Sequence, residues 1–333
     1  MSRNFLGALI DKWVPRVRQA FTDSVADLRD RMRTVFVGDQ LALAGAEAAI
    51  GAVGLDPAAL RPLDQAIALA FEAGGNEAAG EFPGRREPDG ELIQIRFNVR
   101  DFAAEAWARD HSATLVREIL DDQRTAIRNH IVAGLQVGRS PRDIARDLVG
   151  RVSPQTGRRE GGIIGLTASQ EEWSRNYADE LARGDRAALS RALRDKRFDT
   201  MVEQAISSGT PLPAETVTKI VAAYRNRSLR YRAETLALAE THSAVEEGRY
   251  QAVEQAIRAR QFDPAQVTKT WRDTGDRHVR HTHERLGGQT VSFRAEFISP
   301  SGARLRFPGD PKAPAAERVG CRCWMETRFR APR

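Results

Sequence analysis

Cysteine is the scarcest informative residue type in this chain: only two occur among 333 residues, at positions 321 and 323. Two cysteines cannot build the disulfide framework that stabilises small secreted domains. A bridge between Cys321 and Cys323 would close only a strained ring across one intervening residue. We therefore expect reduced thiols or metal ligands.

Long apolar runs are also lacking. No run approaches the roughly 20 residues that a membrane-spanning helix needs, and the apolar stretch near the N-terminus is soon interrupted by charge, unlike a secretory signal. We expect no membrane partner and synthesis in a cytoplasm. Apolar content of 41% and charged content of 29% are ordinary for a globular protein, and the length suffices for two domains.

Lysine contributes only five of the 51 basic residues, so arginine carries almost all of the positive charge. Residues 269–333 contain 14 basic and 7 acidic side chains, whereas the other 268 residues contain 37 and 38. The excess positive charge therefore lies in the C-terminal part. Two interpretations stay open: a polyanionic partner such as nucleic acid, or an arginine-rich surface without a special partner.

Helical periodicity dominates up to about residue 260. Apolar residues recur every three or four positions over 5–36, where Pro15 predicts a kink or break. The clearest prediction is a long helix over 101–137, followed by a helix with Ser140 as N-cap and Pro141 at its first position. Further predicted helices are 40–51, 57–73, 167–183, 186–195, 198–208, 213–226 and 229–260.

Glycine and proline punctuate the rest of the chain. They predict loops over 74–91 and 150–163, and residues 91–99 predict a short strand. After Asp263-Pro264 the helical periodicity stops, so we place a domain boundary there. The sequence predicts a mainly α protein with a long multi-helix body and a small C-terminal α+β module. The predicted domains are a helical N-terminal arm (1–100), a helical body (101–262) and the module (263–333).

The C-terminal module contains an HxH and a CxC: His281, His283, Cys321 and Cys323. Residues two apart share a face on a strand but not on a helix. Two extended segments would thus bring together four ligands suited to tetrahedral Zn²⁺. In the other interpretation the thiols are small core residues and the imidazoles bond backbone or carboxylate groups.

Acids and bases of the same segment, such as Asp273, His278 and Glu317, also allow a hydrolytic metal site or a Cys-His nucleophile to be drawn. No known nuclease or protease spacing occurs, so we predict a protein that is not an enzyme. Elsewhere, His111 and His130 are expected to be ordinary surface or half-buried residues. For Glu240-Thr241-His242, which lies within a predicted helix, we favour helix packing over a site role.

One ordered series of residues spans about fifty positions of the module. Its members are Trp271, Asp276-Arg277, Arg280, His283, Leu286-x-Gly288, Pro308-Gly309-Asp310, Arg318 and Cys321-Arg322-Cys323. The series resembles the phage Mu F-like minor head proteins, also called the phage head-morphogenesis family. The stretches 232–248, 138–148 and 164–170 resemble the same family, so the likeness covers about residues 115–330.

The chain departs from that family in two stretches. Many members carry CxxC where this chain has Arg280-His-Thr-His283, and a histidine where it has Arg318. The departure suggests that an arginine network with Asp273, Asp276 or Glu317 holds the module.

The resemblance implies a low-copy virion component inside the capsid, made in the host cytoplasm, with the portal protein and other head proteins as partners. It also implies contact with double-stranded DNA during packaging or ejection. The candidates for phosphate contact are Arg304, Arg306, Arg328 and Arg330. The alternatives are a metal-dependent nuclease or toxin-like effector built on the His281/His283/Cys321/Cys323 cluster, and a generic DNA-binding module without portal affinity.

Overall fold

Helices make up most of the computed structural model, which describes residues 3–86, 92–93 and 95–330. The longer helices are α1 (Arg3–Arg31), α2 (Thr34–Val53), α3 (Arg61–Gly80), α4 (Phe102–Gln136), α5 (Pro141–Val149), α6 (Ala168–Arg183), α7 (Asp199–Ser208) and α8 (Ala214–Arg258). Two short helices, α9 (His281–Glu284) and α10 (Ala315–Arg318), lie near the C-terminus. The prediction of a mainly α protein is confirmed.

The strands are short, and most of them lie after residue 260. They are β1 (Arg85–Arg86), β2 (Leu92–Ile93), β3 (Arg151–Val152), β4 (Arg159–Glu160), β5 (Val267–Arg272), β6 (Thr290–Ser292), β7 (Phe297–Ile298), β8 (Arg304–Leu305) and β9 (Trp324–Phe329). An antiparallel sheet of order β6-β5-β9 and a β7-β8 hairpin, together with α9 and α10, form the predicted C-terminal α+β module.

The chain divides into two compact units, each assembled from separate segments. Unit 1 comprises Met1–Ala20, Leu63–Ala113 and Glu234–Arg333, and unit 2 comprises Phe21–Pro62 and Thr114–Ala233. The long helices α4 and α8 each contribute residues to both units. The three domains predicted from the sequence follow changes of composition along the chain instead, and they stay a prediction.

Unit 2 is held together by an apolar core and by a buried arginine. Arg29 donates hydrogen bonds to the carbonyl oxygens of Ile164 (2.6 Å) and Gly162 (3.1 Å), and burial lowers its pKa to about 10. These bonds fix residues 161–166, which are all buried. The prediction of an exposed loop over 150–163 is therefore wrong for its last residues, and β3 and β4 form a hairpin in the remainder.

In unit 1, glycines let helices α3 and α8 approach closely. A Cβ on Gly74 would lie 2.2 Å from the carbonyl oxygen of Val245, and one on Gly248 would lie 2.0 Å from that of Phe71. Helix α3 therefore continues through Gly74 to Gly80. The predicted loop over 74–91 is wrong at its start, because these glycines serve close packing rather than a turn.

Other predicted boundaries also differ from the structure. Pro15 does not end helix α1, which continues through it, and the nearby residues Val14 and Val17 are buried. The predicted helices 213–226 and 229–260 are the single helix α8, since no glycine or proline interrupts residues 214–247. The predicted helix 186–195 contains only a 3₁₀ turn over Arg186–Ser190. The predicted strand 91–99 is reduced to β2, and its residues 91 and 94 lie outside the described residues.

The stretch Thr34–Gly80 is more apolar than expected from the lack of long apolar runs. Within Thr34–Gly80, an 18-residue window has a mean hydropathy of 1.3 and is 17% buried, so by length and composition it could cross a membrane. Alanine raises this average without supplying long apolar side chains. A single stretch of this kind is a weak indication of a membrane span, and the absence of a membrane partner stays a prediction.

Candidate functional site

Three of the four proposed metal ligands meet inside the C-terminal module. The Nδ1 atom of His283 lies 3.4 Å from Sγ of Cys321 and 3.5 Å from Sγ of Cys323. The three side chains are buried, with exposures of 1%, 9% and 3%, and their ligand atoms all lie within 4.8 Å of one another. Both cysteines are free thiols. The CxC pair thus presents both sulfur atoms to one imidazole.

The predicted extended HxH does not form. Residues 281–284 form helix α9. Two positions along a helix correspond to a rotation of about 200° around its axis, so the two side chains lie on nearly opposite faces. His283 is accordingly buried while His281 is exposed. His281 is therefore not brought to the thiols, and the four-ligand arrangement inferred from strand geometry is reduced to three ligands.

A carboxylate holds the other side of the His283 ring. Oε2 of Glu317 lies 2.8 Å from Nε2 of His283 and accepts a hydrogen bond from Thr282 at 3.0 Å. Oε1 accepts from Ser299 at 3.0 Å and from Ser301 at 2.6 Å. Burial opposes ionisation of Glu317, but these hydroxyl hydrogen bonds outweigh it and lower the pKa. An ionised Glu317 favours a proton on Nε2 and leaves the Nδ1 lone pair facing the thiols.

The two thiols influence each other. Their mutual hydrogen bond is the main cause that lowers the pKa of Cys321 and raises that of Cys323. The guanidinium of Arg280 further favours the Cys321 thiolate. One thiolate therefore forms more readily than the other.

The Glu240-Thr241-His242 segment of α8 packs against this module, in line with the helix packing predicted for it. Nε2 of His242 donates to the carbonyl oxygen of Cys323 at 2.8 Å. Burial lowers the pKa of His242 to about 4, so the ring is neutral. Gly309 (φ 80°) passes over this ring so closely that a Cβ would lie 2.6 Å from Nδ1. Glu240 contacts His111 at 2.8 Å.

Arg280 and Arg318, which lie where the chain differs from the family, have other partners than predicted. Arg280 donates to the carbonyl oxygens of Ala316 and Val319, and Arg318 lies 3.5 Å from Glu240. Of the acids proposed for this network, Asp276 pairs instead with Arg322 at 2.6 Å, and that bond lowers the pKa of Asp276 to about 2.

The remaining motif residues shape the site. Trp271 is fully buried, and its ring meets His283 edge to face with centroids 5.0 Å apart. Gly288 (φ 79°) donates its N–H to the Trp271 carbonyl. Asp310 accepts from the backbone N–H of Arg306 at 2.9 Å. These motif residues therefore serve the internal framework of the module, and Trp271 contacts the His283 ring directly.

The four arginines proposed for DNA contact differ in their surroundings. Arg304 and Arg328 are 69% and 61% exposed, with single acidic neighbours at 3.4 and 3.1 Å, and Arg330 is also exposed. Arg306 is only 17% exposed and pairs with both Glu247 and Asp310 at 2.8 Å. Arg306 is thus occupied within the fold, and three candidates remain on the surface.

Sequence reasoning missed a buried lysine beside this site. Nζ of Lys269 donates to the Arg306 carbonyl at 2.6 Å and lies 5.2–5.6 Å from the ring centroids of Tyr250, Phe293 and Phe297. Burial lowers its pKa to about 7, whereas the three rings favour the ammonium form. The alternation Val267-x-Lys269-x-Trp271 could have placed Lys269 on the core face of β5.

The geometry defines a mainly helical protein that ends in an α+β module closed around one imidazole and two thiols. Residues 196–326 match the family described as Phage Mu protein F like protein. The chain therefore carries a phage Mu F-like segment, and the resemblance predicted from the sequence is confirmed there. The stretches 138–148 and 164–170 fall outside the matched residues.

An uncharacterized protein, YqbB of Bacillus subtilis (strain 168), is 33% identical over 97 residues, which are 28% of this chain and 30% of that protein. The chain thus spans less than a third of that relative's length. No solved structure matches. The family match suggests a phage head-morphogenesis protein.

Proposed function

We propose that this protein is a minor head protein, a low-copy virion component associated with the portal inside the capsid. The observation that carries the proposal is the phage Mu F-like match over residues 196–326. The internal role of the motif supports it: Trp271, Asp310 and Cys323 serve the framework of the module. A docked, internally bonded module is suited to a structural part of a particle.

Quantitative mass spectrometry of purified virions tests this function directly. We expect the protein in a few copies per particle, and we expect it to co-purify with the portal protein from infected cells. The major coat protein and a non-structural phage protein serve as high-copy and absent references. Absence from virions would contradict the proposal and would return attention to an effector or nuclease role.

We also propose that the module contacts double-stranded DNA through phosphates. Arg304, Arg328 and Arg330 are the exposed candidates, and the residues from 269 onward carry the excess positive charge of the chain. Such contacts depend little on sequence and weaken steeply with salt, because binding releases counterions.

Salt-dependent DNA binding by the full chain tests that contact. Replacing the three arginines by glutamine should lower affinity similarly for unrelated duplexes and reduce the salt slope by about 1 per lost contact. The charge-matched control replaces Arg109, Arg124 and Arg128 of α4, which are 74%, 44% and 47% exposed, and should change the slope little. An equal effect of both triple variants would refute a specific role of the module.

A further inference from the structure

The spacing of the His283, Cys321 and Cys323 side chains is the spacing that a shared metal ion would impose. In a tetrahedral zinc site, Zn–S bonds of about 2.3 Å and Zn–N bonds of about 2.0 Å place nitrogen and sulfur about 3.5 Å apart. The two Nδ1–Sγ distances are 3.4 and 3.5 Å. Both nitrogen–sulfur distances therefore match a shared ion, and the three ligand atoms all lie within 4.8 Å of one another.

We infer that His283, Cys321 and Cys323 form a binding site for a thiophilic divalent cation, best matched by Zn²⁺, in which this chain supplies three ligands. Two sulfur donors and one imidazole favour zinc over magnesium or calcium, which prefer oxygen. The inference goes beyond the proposed function, because a minor head protein does not need a metal ion to be a virion component.

Glu317 is the orienting residue of this site. Ligand histidines commonly donate their second ring N–H to a carboxylate, which fixes the tautomer and increases the basicity of the ligating nitrogen. Oε2 of Glu317 lies 2.8 Å from Nε2, which has no aligned hydrogen-bond partner among the described residues, so a small rotation of the carboxylate would place it in this role. Its other contacts to Thr282, Ser299 and Ser301 keep it in place.

The charges of the site also suit a dication. Two buried thiolates would repel each other, and a dication would neutralise both. The carboxylate of Glu317 accepts hydrogen bonds from Thr282, Ser299 and Ser301. A filled site would therefore leave no thiolate charge uncompensated in the interior, where an unpaired charge is costly.

The fourth coordination position has no ligand from the motif. His281 is exposed, Arg280 bonds backbone carbonyls, and Arg318 faces Glu240. The inferred site therefore has three protein ligands instead of the four usual in structural zinc sites.

The competing arrangement is a metal-free cluster in which the thiols donate hydrogen bonds to Nδ1. Cobalt substitution separates the two, because Co²⁺ bound by thiolates gives sulfur-to-metal charge-transfer absorption that a hydrogen-bonded cluster cannot give. The full chain is purified under reducing conditions, stripped with a chelator and titrated with Co²⁺ and then Zn²⁺. We expect one equivalent of each, with Zn²⁺ displacing Co²⁺ and abolishing the absorption.

The two histidines of the HxH provide a matched pair of variants. His281→Gln should bind like the wild type, whereas His283→Gln and Cys323→Ser should lose the charge-transfer absorption. Glu317→Gln should bind the same ion 10–100-fold more weakly. Circular dichroism identifies any variant that fails to fold, and protection of the wild-type thiols from alkylation by Zn²⁺ gives a readout that needs no variant.

Two results would overturn the site. One is the absence of charge-transfer absorption and of thiol protection in the folded wild-type chain. The other is undiminished Co²⁺ absorption in folded Cys323→Ser. Loss of binding in His281→Gln equal to that in His283→Gln would overturn the three-ligand assignment.

Discussion

Two buried histidines, His283 in unit 1 and His130 in unit 2, each lie beside a carboxylate group. Their second ring nitrogens have different surroundings. Glu317 lies 2.8 Å from Nε2 of His283, and Glu171 lies 3.0 Å from Nδ1 of His130. The remaining nitrogen of His283 faces two thiols. That of His130 lies 3.8 Å from Asp147. The prediction that His130 is an ordinary surface or half-buried residue is wrong about its burial, since it is 3% exposed.

The difference teaches that a carboxylate-held imidazole does not by itself make a metal site. Asp147 is already paired with Arg139 at 2.9 Å and lies 3.7 Å from Arg225. Two guanidinium groups around this carboxylate would repel a cation. The unit 2 cluster thus joins helices α4, α5, α6 and α8 as a packing network, whereas the unit 1 cluster provides two thiols, and the neighbouring Arg280 donates to the carbonyl oxygens of Ala316 and Val319.

The largest effect on this comparison should come from removing the aromatic wall of the unit 1 site. Trp271 is 0% exposed, and truncating a buried tryptophan to alanine costs about 3–5 kcal/mol of unfolding free energy. Urea denaturation of Trp271→Ala measures this. Trp173→Ala is the control, because Trp173 is 45% exposed on α6 and should cost far less. Equal losses in the two variants would show that burial does not set the cost.

Acid should destabilise the docking of α8 next most strongly. Burial lowers the pKa of His242 from 6.5 to about 4, so the unfolded chain binds more protons between these values. Stability from this group is complete above pH 6.5 and is lost as pH falls through about 4. The full effect is about 3 kcal/mol. His242→Gln can still donate to the Cys323 carbonyl but does not titrate, so the difference between the two pH profiles isolates the histidine.

If both profiles fell in parallel between pH 6.5 and 4, other groups would cause the acid sensitivity. His130 is one such group, because burial lowers its pKa as well. Repeating the measurement with His130→Gln distinguishes the contribution of unit 2 from that of unit 1.

Replacing the carboxylates sharpens the comparison further. Glu171→Gln and Glu317→Gln should each cost about 1–3 kcal/mol, because each leaves buried donors poorly paired. Only the Glu317→Gln cost should change when Zn²⁺ is added or chelated, since Glu171 orients a histidine without thiol neighbours. Thermal unfolding of both variants with Zn²⁺ and with chelator measures this, and an equal zinc response would remove the distinction between the two clusters.

Local rules predicted the features that local physics decides. Ser140 accepts a hydrogen bond from the Asp143 N–H and Pro141 opens α5, as expected, and the long helix over 101–137 is α4. The CxC pair presents both sulfur atoms to one side. These outcomes depend on neighbours within a few positions, so a single sequence contains the necessary information.

The failures have tertiary causes. Gly74 indicates a loop to any local rule, but it lies in a helix because the backbone of Val245 passes within 2.2 Å of where a Cβ would be. Likewise, the HxH pattern predicts a strand, a geometry that would bring all four ligands together. Arg280, bonded to the carbonyls of Ala316 and Val319, instead precedes a helical turn. No sequence pattern predicts the contact of Gly74 with Val245 or those of Arg280 with the two carbonyl groups.

The smallest predicted effect is also the one that most directly tests that correction. His281→Ala changes an exposed residue of α9, and surface substitutions away from caps and networks usually alter stability by less than about 0.5 kcal/mol. His283→Ala, two positions later, removes the ring between Glu317 and the thiols. Denaturation midpoints of the two variants under reducing conditions compare them directly. Because a strand would place both imidazoles on one buried face, a His281→Ala loss as large as that of His283→Ala would restore the extended HxH; a near-neutral result would support the helical turn.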